Sequence, residues 1–167
     1  SESRREAMFD EVAAWCESWA IGAASQQECD ELGMAAAQRL AARRAIDGLD
    51  RRPEAAIVDG PWNFLGDVVD RVECVVKADT TCASVSAASI LAKVTRDRLM
   101  RLEAEHYPQW HFDSNKGYPC PLHRAALAGH GPSAIHRRSW VFMENFVPWP
   151  GLRRPVGTHD VDQPALF

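Results

Sequence analysis

Two aspartates, Asp59 and Asp79, each follow a short apolar run, AAIV at 55–58 and VECVV at 72–76. Both runs are too apolar for exposed strands, and each leads into a turn, Asp59-Gly60-Pro61 after the first and Lys77-Ala78-Asp79 after the second. The pattern reads as two buried strands that release a carboxylate at their carboxyl ends, where the crevices of open α/β sheets collect ligands. Parallel neighbouring strands would bring the two carboxylates together. Paired carboxylate oxygens suit Mg²⁺ or Mn²⁺, ions that activate a water and stabilise the leaving oxygen in phosphodiester hydrolysis. The alternative, equally open at this level, is that each Asp caps the turn or helix behind it.

Behind Asp79 the period changes: Ala87, Ile90, Leu91 and Val94 recur at helical spacing. Ala83, Ser84, Ser86, Ala88, Ser89 and Ala92 leave the first turns of this helix nearly free of bulk, so a sheet or a nucleic-acid backbone can come close. Residues 108–123, PQWHFDSNKGYPCPLH, are rich in turn formers and aromatics and read as a loop. Within it Lys116-Gly117-Tyr118 joins a cation, a hinge and a ring, which suits a phosphate and a sugar or base; packing of the loop is the competing role for Tyr118. His136-Arg137-Arg138 forms a second basic loop, suited to phosphate or simply solvated.

The elements that must position these residues are legible in outline. The opening reads as an amphipathic helix with Ala7, Met8, Val12, Trp15 and Trp19 inward. Residues 20–24, AIGAA, are a strand candidate, and Ser25 with Glu28 makes a capping box that starts a second helix, broken at Gly33 and running to about Asp50. On that helix Ala35, Ala36, Leu40, Ala41 and Ile46 are placed against a sheet. Residues 122–128 read as a short helix closed by Gly129 and Gly131, and 148–167 as a flexible, Pro- and Gly-rich tail. At 167 residues and 46% hydrophobic content, the chain suits one domain, residues 1–147.

Charges break every apolar run before bilayer length and no signal peptide opens the chain, so a cytoplasmic protein is expected. Five cysteines without a C-x-x-C pair read as reduced thiols. A net charge of −4 argues against a generic basic coat for nucleic acid, but residues 93–154 carry +5 and the remainder −9. Such asymmetry suits an enzyme that gathers metal ions on one surface and phosphates on another. A small-molecule α/β enzyme is poorly supported, because no G-x-G-x-x-G loop is present.

IVDG at 57–60, KAD at 77–79, SAASILAKVTRDR at 86–98, NKGYP at 115–119 and HGPSAIHRRSW at 130–140 resemble bacterial ribonuclease HII in order and spacing. The resemblance implies an α/β fold, a ribonuclease H-like mixed sheet flanked by helices. It also implies endonucleolytic cleavage of RNA in RNA–DNA hybrids, and at single ribonucleotides in DNA, by two-metal-ion catalysis with Mn²⁺ or Mg²⁺. Asp59 and Asp79 match the family's third and fourth acidic metal ligands. Tyr118 matches the tyrosine that packs on the junction sugar, and Lys116, Lys93, Ser86 and Arg137 fall in segments that contact substrate. The family's opening Asp-Glu strand, Gly-Arg-Gly turn and Ser-Lys motif do not occur here, which implies a domain without its amino-terminal strands. A catalytically incomplete hybrid-binding fragment is therefore the alternative function. A monomer is expected. The last residues, with Gln163, Leu166 and Phe167, resemble the Gln-x-x-Leu-Phe motif that docks on the sliding clamp.

Overall fold

The computed structural model describes residues 1–148, 151, 153 and 155–157. Gln163, Leu166 and Phe167 lie outside the described residues. Among the described residues seven α-helices and two strands follow in chain order: α1 (Glu2–Trp15), α2 (Gln26–Leu32), α3 (Met34–Asp47), β1 (Ala55–Asp59), β2 (Arg71–Val75), α4 (Ala83–His106), α5 (Phe112–Asn115), α6 (Pro121–His130) and α7 (Phe142–Phe146). Among the described residues no helix is long and apolar enough to cross a membrane.

β1 and β2 pair in parallel, with Ala55 opposite Arg71 and Asp59 opposite Val75. Gly60 N–H donates to Val75 O at 3.0 Å and carries the ladder one step past the strand. On one side Val58 packs with Leu65 and Val69 and, through Ala42 and Ile46, against α3. The other side is open: Ile57 is 41% exposed, and a groove of about 530 Å³ runs along residues 55–57 and 71–73 to Ser84. That groove is uncovered sheet face, away from the strand ends where the carboxylates stand.

A 24-residue helix, α4, is the frame for the remaining elements. Its inward stripe carries Leu91 and Val94 against Phe9 of α1, with Val12, Ala13 and Cys16 at the margin. Ion pairs flank the stripe: Arg98 with Glu6 at 2.7 Å, Arg101 with Glu2 at 2.5 Å, and Arg5 with the buried Asp97 at 3.1 Å.

Several local expectations change, among them the loop expected over residues 108–123, within which α5 forms. Residues 20–24 form no strand; they lie against α3 so closely that a Cβ on Gly22 would sit 1.9 Å from Ala41 O, while Arg44 donates to Ala23 O. The inward face of α1 is Phe9, Val12 and Ala13, and Trp15 is 65% exposed, because α4 meets the helix on a stripe rotated from the one expected. On α3 it is Ala37 that is buried, while Ala35 and Ala36 face solvent. The capping box at Ser25 and Glu28 is present, and Gly33, at φ 78°, separates α2 from α3. Gly129 lies inside α6, which ends at Gly131. Beyond residue 148, Gly157 N–H donates to Asp30 O on α2.

Candidate active site

The carboxyl end of β2 turns sharply. Lys77 adopts a left-handed conformation, φ 59° and ψ 38°, which a residue with a Cβ takes at some cost. The turn of 3-10 helix that follows, Ala78–Thr80, swings the chain back toward β1. Its first amide closes the structure: Ala78 N–H donates to Asp59 Oδ1 at 3.0 Å. Asp59, at the end of β1, thus stands one residue from Asp79 across a hydrogen bond. Ala78 is fully buried, whereas Asp59 is exposed and Asp79 half-buried, so the carboxylates rim a surface instead of filling a core.

Asp79 is held from behind by α4. Ser86 Oγ donates to Asp79 O, fixing the turn against the first turns of the helix. Lys93, two turns on, donates to Ser89 Oγ at 2.7 Å and brings its ammonium within 4.0 Å of Asp79 Oδ2. At that separation, and about half exposed, the pair contributes at most about 1 kcal/mol. The ammonium stays available to a second anion. Arg96 continues the same face of the helix.

Tyr118 lies beside this face. The residue is 58% exposed, with the Arg96 guanidinium 4.7 Å from the ring centroid on one side. The loop beneath it is fixed by Asn115, whose side chain donates to Trp110 O at 2.6 Å and accepts from Gly117 N–H at 2.7 Å. Lys116, left-handed at φ 52°, turns inward: its ammonium donates to Asp113 O and pairs with Glu2 of α1 at 3.2 Å, leaving the residue 5% exposed. It braces the loop. Arg137 rests on Trp140, 5.0 Å from the ring centroid, and donates to Met34 Sδ.

Sequence reasoning missed two residues. Arg96 carries a helical signal, three residues beyond Lys93 on the exposed side of α4. Asp30 had none: 108 residues away in sequence, its carboxylate accepts from the Arg138 and Ser139 amides and from Ser139 Oγ at 2.7–3.0 Å, and so clamps the basic loop to α2.

In donor chemistry the site fits a hard divalent cation, since Asp59 and Asp79 present carboxylate oxygens and Mg²⁺ is commonly held by one or two carboxylates plus substrate phosphates. Among the described residues no cluster of three or more His, Cys, Asp or Glu side chains gathers for a metal.

A two-stranded parallel pair braced by a long helix, with Asp59 at the end of β1 and Asp79 in the turn beyond β2, is an α/β arrangement that fits a ribonuclease H-like fold. The same fold appears in the crystal structure of the ribonuclease H2 from Pyrococcus horikoshii OT3, at a TM-score of 0.70 over 87% of this chain and 76% of that one, with 24% identity. The Ribonuclease HII family profile matches residues 2–143. Ribonuclease HII of Streptomyces griseus is 46% identical over 155 residues, and that of Burkholderia mallei 42% over 140, covering 90% and 84% of this chain. The chain belongs to the ribonuclease HII family. It spans 65% and 64% of the length of those two relatives.

Proposed function

We propose that the protein is a metal-dependent endoribonuclease that hydrolyses RNA in RNA–DNA hybrids and cuts at ribonucleotides embedded in DNA. The observation that supports this reading is the Ala78 N–H to Asp59 Oδ1 hydrogen bond, which ties the end of β1 to the turn that carries Asp79 within a ribonuclease HII chain. Asp59 and Asp79 would hold Mn²⁺ or Mg²⁺. When bound, the ion supplies charge that activates water and stabilises the leaving oxygen.

The other steps belong to the protein. Exposed Ala83, Ser84, Ala88 and Ala92 keep the start of α4 low, so a nucleic-acid backbone can approach the acids. Lys93 and Arg96 offer positive charge along the same helix, and Arg137 adds a third cation on its own loop. Ser86 acts from behind, by holding Asp79. Tyr118 presents one free ring face to a sugar, and a residue packed on the ribose reads the 2′-OH by which RNA differs from DNA. The reading places the protein with nucleic acid in the cytoplasm. A second reading, binding of hybrid without cleavage, is favoured by the absence of a third metal-ligating side chain beside the pair among the described residues.

The test is a labelled DNA duplex carrying one ribonucleotide, incubated with the 167-residue chain and Mn²⁺. A nick at the ribonucleotide, lost in Asp59→Asn with binding retained, supports cleavage. Binding without a nick supports the second reading. Equal affinity for this duplex and for an all-DNA duplex refutes both.

A further inference from the structure

Between Tyr118 and the loop at residues 133–136 runs a line of hydrogen bonds whose proton order the backbone dictates. Ser133 N–H lies 3.0 Å from His136 Nδ1, and Ser133 Oγ lies 2.7 Å from the same atom. A main-chain amide only donates, so Nδ1 accepts and a neutral His136 carries its hydrogen on Nε2. That nitrogen is 2.9 Å from His123 Nε2, which must then accept. His123 in turn carries its hydrogen on Nδ1, 3.1 Å from Tyr118 O, an atom that only accepts. Every contact agrees with this order. Reversing it would oppose two lone pairs or two N–H groups at one or more of the contacts.

The surroundings hold both rings neutral. His123 is 3% exposed, Phe112 lies 5.5 and 5.4 Å from the two ring centroids, and Trp110 lies 6.1 Å from His136. Burial lowers the pKa of His123, and burial with the neighbouring His123 and Arg138 takes His136 down to about 3. A proton added at either accepting nitrogen would face an N–H. The order therefore survives only in the uncharged pair.

The receiving end of the line is the main chain of Tyr118. Its carbonyl also accepts from Cys120 N–H at 2.8 Å, and its amide donates to Asn115 O at 2.8 Å. With the backbone fixed at these points and Arg96 over one ring face, the remaining face of Tyr118 has a set direction. We infer that His123 and His136 are positioning residues whose ordered hydrogen bonds set the Tyr118 ring for discrimination between ribose and deoxyribose. The functional half rests on the proposal that Tyr118 touches nucleic acid; the proton order does not.

Two measurements on the full chain separate them. Long-range ¹H–¹⁵N NMR of the imidazoles at pH 7 should show His136 protonated at Nε2 and His123 at Nδ1; the opposite tautomers, or a charged ring, overturn the inference. Fluorescence anisotropy then compares a duplex containing one ribonucleotide with an all-DNA duplex. His136→Phe removes acceptor and donor together and should lower the ratio of the two affinities about fivefold to tenfold, the effect of losing about one net hydrogen bond. His136→Gln keeps an acceptor and a donor on one amide and should restore most of the ratio. An unchanged ratio in His136→Phe, or no rescue by His136→Gln, overturns the positioning role. If the wild-type chain shows no ribonucleotide preference, the reading of Tyr118 falls. The pair is then judged on the ¹⁵N relaxation of the Tyr118 amide, which should become mobile in His136→Phe and refutes the coupling if it does not.

Discussion

Asp59 performs two separable tasks, and two substitutions divide them. Asp59→Asn keeps an amide oxygen for the Ala78 N–H but removes the negative charge. Asp59→Ala removes both, and leaves a donor on a residue with no exposure, since Ala78 is 0% exposed. A buried donor without a partner costs about 1–3 kcal/mol, whereas exchanging a charged acceptor for a neutral one costs about 1 kcal/mol. With a urea dependence of about 2 kcal/mol per molar, Asp59→Ala should lower the unfolding midpoint by about 1 M and Asp59→Asn by about half that or less. Mn²⁺ affinity, read by calorimetry on the folded variants, should fall about tenfold or more in both, because the ion needs the charge and is indifferent to the stability difference. If Mn²⁺ affinity is retained in Asp59→Asn while Asp59→Ala loses stability, Asp59 is a cap for the Ala78 turn and no metal ligand.

Leu91→Ala, at a site 2% exposed between Phe9 and Val94, should cost about 3–4 kcal/mol in urea unfolding, with Mn²⁺ affinity unchanged in the fraction that remains folded. Stability should also decline with acid. The folded values of His123 and His136 lie below the ordinary 6.5, so as pH falls through 6.5 the unfolded chain binds protons that the folded chain refuses, and stability present above 6.5 is lost progressively toward pH 3. Glu28, held at about 2 by Arg44 and the Ser25 amide, adds its own loss only below about 4.5, so a urea midpoint that falls between pH 7 and 5, and falls less in His136→Phe, identifies the histidines. A peptide ending in Gln163, Leu166 and Phe167 should bind purified sliding clamp with roughly micromolar affinity, and alanine at Leu166 and Phe167 together should abolish it; equal binding by the substituted peptide would refute the motif.

How much of this was legible in the sequence follows from the range of each interaction. β1, β2 and α4 were readable because Gly60 closes the first apolar run and the period changes from strand to helix across Lys77-Ala78-Asp79. Parallel pairing of the two strands was expected and is present, with Asp59 opposite Val75, whereas the left-handed turn at Lys77 that brings the Ala78 amide to Asp59 has no local signature. Residues 20–24 look like a strand by composition, yet Gly22 is there to let the backbone touch α3, a contact with a distant segment. Lys116 looks like a free loop cation until Glu2, from the other end of the chain, pairs with it. The Asp30 clamp and the His136–His123 contact are likewise invisible locally, because they join residues 108 and 13 positions apart at no helical or strand period.

The most direct test of the shared carboxylate site is paramagnetic broadening by Mn²⁺ in the ¹⁵N-labelled chain bound to a duplex with one ribonucleotide. If Asp59 and Asp79 hold the ion together, the amides of Gly60, Ala78, Asp79 and Thr80 broaden first, at substoichiometric Mn²⁺, and Asp59→Asn abolishes the effect while those of α6 stay sharp in both proteins. Broadening that begins elsewhere, at Glu103 and Glu105 for example, or that persists at Ala78 in Asp59→Asn, would contradict the assignment of the metal to the ends of β1 and β2.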